Sequence, residues 1–181
     1  MITSLIPEIK KVSDSLEIIF QSLSEEQLNF KYNPTTWSIG ECLDHIIFTN
    51  ELYFQKFEKI VNGQHKNPFL AKFRFYPTLF GNLIKNSVDP KNAKKTKTFK
   101  VFEPLSSNYN AQIFENFNAS QQKLIQYIQQ FEKLHYSSFY IHSPVTNSIV
   151  LHLPTALEII TLHEQRHLIQ IQNVYKSLSE N

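Results

Sequence analysis

The sequence predicts an all-α fold, a four-helix bundle, on three observations. Apolar residues recur at helical spacing along four separate stretches, each leaving one face polar. Glycine occurs only 3 times in 181 residues, too rarely for a turn-rich β-sandwich or barrel. One long connection, residues 64–105, separates the second helical stretch from the third and frees those two helices to run parallel instead of as a hairpin. With 41% hydrophobic and 19% charged residues the composition is that of an ordinary globular chain, and residues 1–181 are expected to form one domain with a sizeable core.

The first stretch carries Leu5, Ile9, Val12, Leu16, Ile19 and Leu23, spaced 4-3-4-3-4, one buried stripe on a helix. The polar run SEEQLNFKYNPTT follows. Ser38 with Glu41 three residues later is a capping-box signature ahead of an apolar run, so the second helix starts there. Ile39, Leu43, Ile46, Tyr53, Phe57 and Ile60 continue it until Asn62 and Gly63 supply a C-cap. The third helix, expected from Ser106 or Ser107, carries Ile113, Phe117, Leu124, Ile128 and Phe131. Pro154 suits the first turn of the fourth, which reaches about Leu178.

The long connection has its own character. It holds nine Lys or Arg against two acids, +7, while the rest of the chain is −5. Phe69, Phe73, Phe75, Tyr76 and Phe80 are expected to pack part of it over the bundle, with PTLFGNLIKN a candidate short helix. The tract KNAKKTKTFK (91–100) has the composition of a phosphate or nucleic-acid contact, but a net charge of only +2 over the whole chain favours a solvated loop, and no nucleic-acid partner is expected.

No run of about 18 apolar residues suggests a membrane-spanning helix, and no membrane partner is expected. The opening MITSLIPEIKKVSDSL is unlike a secretory leader. Cys42 is the single cysteine, which rules out an intrachain disulfide and points to a reducing, cytoplasmic setting.

The fourth helix poses the chemical question. Its inward stripe reads Ala156, Ile160, His163, His167, Ile171 and Val174, so two imidazoles one turn apart occupy core positions and project the same way. Histidines at i and i+4 form a two-toothed metal clamp, but the pattern is weak alone, since two hydrogen-bonded core histidines look the same. A third imidazole strengthens the metal reading. His45 lies two turns into the second helix on the same wide apolar face as Cys42, Ile46, Thr49 and Leu52. Three neutral nitrogens from two helices would leave coordination positions open for water or substrate, as catalytic sites do. Such a set suits zinc, nickel, copper or iron.

WSIGECLDHI (37–46) followed by LHEQRHLIQI (162–171) resembles the DinB/YfiT-like family of metal-dependent proteins, and the likeness extends over essentially the whole chain, including the FEP element at 102–104. The resemblance implies a bundle with an up-down-down-up course and a long crossover between helices 2 and 3. It also implies a divalent metal, zinc or nickel, on His45, His163 and His167, and a homodimer. Some members of the family are thiol-dependent transferases using bacillithiol or mycothiol, while many have no known activity. The family's stretch before the last helix contains a glycine that HSPVTNS lacks, so no role passes to His142.

Other residues carry smaller expectations. Glu41 reads as a capping residue before a carboxylate behind the metal, Arg166 as a salt-bridge partner before an anion-steering group, and Cys42 as a packing residue before a nucleophile. Trp37 reads as a helix-start staple, and His65, His135 and His152 as loop or end-of-helix residues. The function expected from all this is a metal-dependent enzyme acting on a small molecule. A thiol S-transferase with a low-molecular-weight thiol as cosubstrate leads, with a hydrolase or a non-catalytic metal-binding stress-response module as the alternatives.

Overall fold

A computed structural model describes residues 1–92, 102–104 and 106–178, and its long helices follow the predicted stripes. Helix α1 (Ile6–Phe20) opens with Pro7 in its first turn and buries Ile9, Val12, Leu16 and Ile19. The run after it, read as merely polar, holds a short helix α2 (Glu25–Leu28) with its own capping box between Ser24 and Gln27. Helix α3 (Ile39–Val61) starts on the predicted box: the Glu41 amide donates to Ser38 Oγ at 3.1 Å and the Ser38 amide to Glu41 Oε2 at 2.8 Å. It stops where Gly63 takes φ +68°, a left-handed conformation that suits glycine, and the Gln64 amide closes on the Lys59 carbonyl.

The crossover contains helix α4 (Phe75–Val88), longer than the predicted short helix. Pro77 and Gly81 face inward, and a Cβ at Gly81 would lie 2.8 Å from the Thr155 methyl, so the glycine lets α4 approach the last helix closely. The predicted packing of its aromatics over the bundle holds for one side only, because Phe69, Phe73 and Phe75 are exposed. Residues 93–101, most of the Lys-rich tract, lie outside the described residues.

Helix α5 (Gln112–Glu132) begins later than expected. Asn29 accounts for the delay: its Oδ1 accepts from the Tyr109 amide at 2.8 Å and its Nδ2 donates to the Tyr109 carbonyl at 2.7 Å, which takes that peptide out of any helix. Asn110 Oδ1 then accepts from the Gln112 amide in the turn that leads into α5. A hairpin unforeseen in the sequence follows, with β1 (Tyr140–His142) antiparallel to β2 (Val150–His152) and Ile141 opposite Leu151. Helix α6 (Leu153–Ser177) closes the fold with Pro154 in its first turn.

Side-chain pairs fix the helix directions. Asn50 with Ser120, Glu51 with Lys123 and Phe57 with Phe131 advance together, so α3 and α5 are parallel. Glu8 with Gln165 and Ser22 with Tyr175 make α1 and α6 parallel. His45 meets His167 while Asn50 meets Glu164, which sets α6 antiparallel to α3. The course is the up-down-down-up one. Apolar packing falls into two clusters, one around Phe54, Phe57, Phe131 and Ile160, the other around Leu16, Leu43, Phe117 and Ile171.

Ser38 is fully buried, so the Glu41 amide it caps has no solvent to turn to. Ser38→Ala is expected to cost about 1–2 kcal/mol in urea unfolding. An unchanged midpoint would mean that α3 starts without the box.

Candidate metal centre

His45 on α3 and His163 and His167 on α6 converge where the two antiparallel helices cross. His163 Nε2 lies 3.0 Å from His45 Nε2 and 3.1 Å from His167 Nε2. One ligand atom from each of the three residues falls within 4.8 Å of the others. The outward nitrogens are engaged. His45 Nδ1 is 2.6 Å from the Phe102 carbonyl and His167 Nδ1 is 3.1 Å from Gln170 Oε1. Both partners are oxygen acceptors, so each Nδ1 carries the proton and each of those Nε2 atoms presents a lone pair. One N–H on His163 cannot serve two acceptors well, whereas a cation between the three nitrogens satisfies every lone pair at once. The 3.0 and 3.1 Å separations of His163 Nε2 from its two neighbours lie within reach of one ion with ordinary metal–nitrogen bonds of about 2.0–2.1 Å. The donor set therefore fits a divalent metal ion.

Electrostatics agree with the geometry. Burial is the first cause lowering the pKa of all three imidazoles, and their mutual repulsion adds to it for His163 and His167. His163 is brought down to about 3. At neutral pH the three are uncharged, the form that ligates.

Two residues that complete the site were not read from the sequence. Trp37 is more than a helix-start staple: its ring lies 6.0 Å from that of His167 at 13°, and 4.8 Å from that of His45. The buried Phe102 brings both its ring and its carbonyl to His45. Trp37 carried a signal in its position just before the cap. Phe102 stood out only as part of the FEP element, with no role at the site, because a backbone carbonyl 57 residues away has no residue type to betray it.

The remaining candidates sit apart from the nitrogens. Glu41 caps α3 and pairs with Lys31 at 2.7 Å, as its capping reading expects. Cys42 is fully buried, its thiol pKa pushed up by burial and then by Glu41, so it is a packing residue. Arg166, read as a salt-bridge partner, donates to the carbonyls of Asp89 and Asn92. Glu164, next to His163, turns the other way: its Oε1 accepts from Asn50 Nδ2 and Gln121 Nε2, both at 2.8 Å, and burial raises its pKa to about 7. His65 and His152 bond the carbonyls of Tyr140 and Ser137 at the hairpin end of the molecule.

Comparison with known proteins follows the same line. The family model described as the DinB superfamily matches residues 8–171. Among solved structures the chain is similar to YfiT from Bacillus subtilis, described as a probable metal-dependent hydrolase with an unusual four-helix bundle topology. The two are 11% identical with a TM-score of 0.61, over 97% of this chain and 86% of that one, a likeness that establishes the fold. No curated protein matches.

The lowered imidazole pKa values have a consequence for the metal-free protein. Unfolded histidine binds its proton below pH ~6.5, while folded His163 does not until about pH 3, so acid favours the unfolded chain across that window. Glu164 acts oppositely: its raised pKa makes the folded state the better proton binder from about 7 down to 4.5, which offsets part of the loss. Metal-free protein is expected to lose stability as pH falls below ~6.5 and to lose it more steeply below ~4.5. His163→Leu should flatten the urea-unfolding profile by about 1.4 kcal/mol per pH unit. Identical slopes in the two proteins would mean that His163 is charged when folded.

Proposed function

The chain belongs to the DinB superfamily, and from that membership we propose a divalent-metal-dependent enzyme that transfers a thiol sulfur to a small electrophile, with His45, His163 and His167 as the metal ligands. The observation that carries the proposal is the convergence of three neutral imidazole nitrogens, two of them fixed by hydrogen bonds on their far side. An ion held there would act as a Lewis acid, lowering the pKa of a bound thiol or water.

The chain's own part is binding, orientation and exclusion of water. Phe102 and Gln170 hold two rings with Nε2 inward, and Trp37 and Phe102 wall the site. Sulfur transfer fits the side chains nearest the ligands in sequence. A thiol, with a pKa near 8.5 in the free cysteine case, needs far less help to ionise than water does. Its proton leaves to solvent, its sulfur pair forms the C–S bond, and the leaving group departs with its bonding electrons. Glu41 is occupied by Lys31 and the cap, Glu164 by Asn50 and Gln121, and Asp44 interacts with the Tyr109 phenol. Those carboxylates are therefore engaged elsewhere than as a base for water, which ranks hydrolysis second. Its support is the description of YfiT as a probable metal-dependent hydrolase. A metal-binding stress-response module without turnover is the third reading.

On the same proposal the partners are a small-molecule electrophile, a low-molecular-weight thiol and a second copy of the chain, in the reducing cytoplasm that a thiol cosubstrate needs. Among the described residues no helix is long and apolar enough to cross a membrane.

Purified protein is expected to carry about one zinc or nickel ion per chain by elemental analysis, and His163→Ala or His167→Ala to lose most of it. The loaded protein should conjugate a small thiol to an aromatic halide or epoxide. His45→Ala should cost at least the roughly 10–100-fold that even an outer-shell change costs, with circular dichroism confirming a folded bundle. Cys42→Ala should keep its activity. A folded His163→Ala/His167→Ala protein at full metal occupancy would overturn the ligand assignment, and a metal-loaded Cys42→Ala protein without activity would move the chemistry to the cysteine.

A further inference from the structure

Helix α4 carries a face that stands exposed among the described residues. Pro77, Gly81, Ile84 and Val88 point toward the bundle, where Ile84 and Val88 pack on the core. Phe75, Leu79 and Leu83, spaced i, i+4, i+8, lie on the opposite side and are 70%, 50% and 55% exposed. The turn before α4 adds Phe69 and Phe73, 68% and 48% exposed, with ring centroids 5.9 Å apart. At about 150–200 Å² for a full side chain these five expose roughly 500 Å² of apolar surface, at the top of what a soluble monomer normally shows.

The charge around the face is one-sided. Residues 59–88 contain no Asp or Glu but hold Lys59, Lys66, Lys72, Arg74 and Lys85. Lys85 is answered by Glu158 on α6, whereas Lys66, Lys72 and Arg74 are exposed, with the Lys72 ammonium 5.0 Å over the Phe69 ring. Aromatic and leucine side chains bordered by cations make a helix that lies in an interface, its apolar side among acyl chains and its cations at the headgroups. Packing against a second copy across a twofold axis would bring Lys66, Lys72 and Arg74 against their own copies, like charge to like charge. Nucleic acid would satisfy the cations and leave the phenylalanines in water.

The geometry points to a docking surface for an anionic membrane: the Phe75–Leu79–Leu83 face of α4, with Phe69 and Phe73, seats on a lipid bilayer while Lys66, Lys72 and Arg74 bind its acidic headgroups. The chain then lies on the membrane and does not span it, and among the described residues no helix is long and apolar enough to cross one. Sequence reading missed the surface because a run of aromatics does not reveal which of them face inward.

The test uses the full metal-loaded chain and sedimentation with large vesicles, either of pure phosphatidylcholine or with about 30% phosphatidylglycerol. Binding is expected to be at least about tenfold tighter to the anionic vesicles and to weaken as salt rises from about 0.05 to 0.5 M. Phe75→Ser/Leu79→Ser/Leu83→Ser should abolish it without loss of helix content, since all three side chains are at least half exposed. Lys72→Glu/Arg74→Glu should remove the preference for anionic lipid. Failure to sediment with either vesicle overturns the proposal, as does equal, salt-independent binding to both. A triple variant that turns a wild-type dimer into a monomer, with no vesicle binding by the wild type, assigns the face to a second copy instead. Cosedimentation is read without turnover, so it stands or falls apart from the proposed chemistry.

Discussion

Burying three uncharged imidazoles side by side constrains the rest of the molecule. Each ring taken out of water needs partners for two nitrogens, and a lone pair left without one costs on the order of 1–3 kcal/mol. At His45 the outer partner is the Phe102 carbonyl and at His167 it is Gln170, so the inner nitrogens are left facing one another. That arrangement requires α3 and α6 to cross at these residues, and requires the crossover to return at the one place where Phe102 can reach His45. The capping box at Ser38 and the glycine at position 40 serve the same end. A Cβ at Gly40 would come within 2.6 Å of the Tyr109 ring, and Tyr109 lies on the segment that leads from Phe102 into α5.

The imidazoles belong to a wider polar band across the middle of the bundle. On α3 it runs from His45 to Asn50, on α5 it holds Ser120 and Gln121, and on α6 it runs from His163 to His167. The two apolar clusters lie on either side of it. Such a band supplies specificity that leucine and phenylalanine cannot. Apolar stripes still pack after a one-turn slide, but a slide of α6 would take the buried Glu164 carboxyl away from both Asn50 and Gln121, and a buried polar group left without partners costs about 1–3 kcal/mol. Register between the helices that carry the ligands is thereby set one residue from His163.

What was legible in the sequence follows from this division of labour. The apolar stripes, the cap at Ser38 and the stop at Gly63 are local patterns, and periodicity finds them. The three histidines were legible because imidazoles in leucine positions break a stripe. The features that escaped depend on distant backbone. Asn29 delays α5 by holding the Tyr109 peptide from 80 residues away, and no spacing rule registers that. Strands of three residues, Tyr140–His142 and Val150–His152, are too short for alternation to declare itself. Trp37 was half legible: its place before the cap was plain, its stacking on the imidazoles was not.

The same long-range bonds tie the crossover to the site. Arg166, the neighbour of His167, grips the carbonyls of Asp89 and Asn92 just beyond α4, and His45 grips the Phe102 carbonyl ahead of α5. Helix α4 leans on α6 at Gly81 and Thr155, two turns before His163. The crossover is thus held from both of the helices that carry the imidazoles, through groups adjacent to or on the rings themselves. Neutral imidazoles that bind a cation on one nitrogen and a backbone carbonyl on the other strengthen both bonds together, since each polarises the ring in the same direction. The Phe102 carbonyl that holds the crossover is therefore also the group that raises the basicity of the His45 nitrogen facing the other imidazoles.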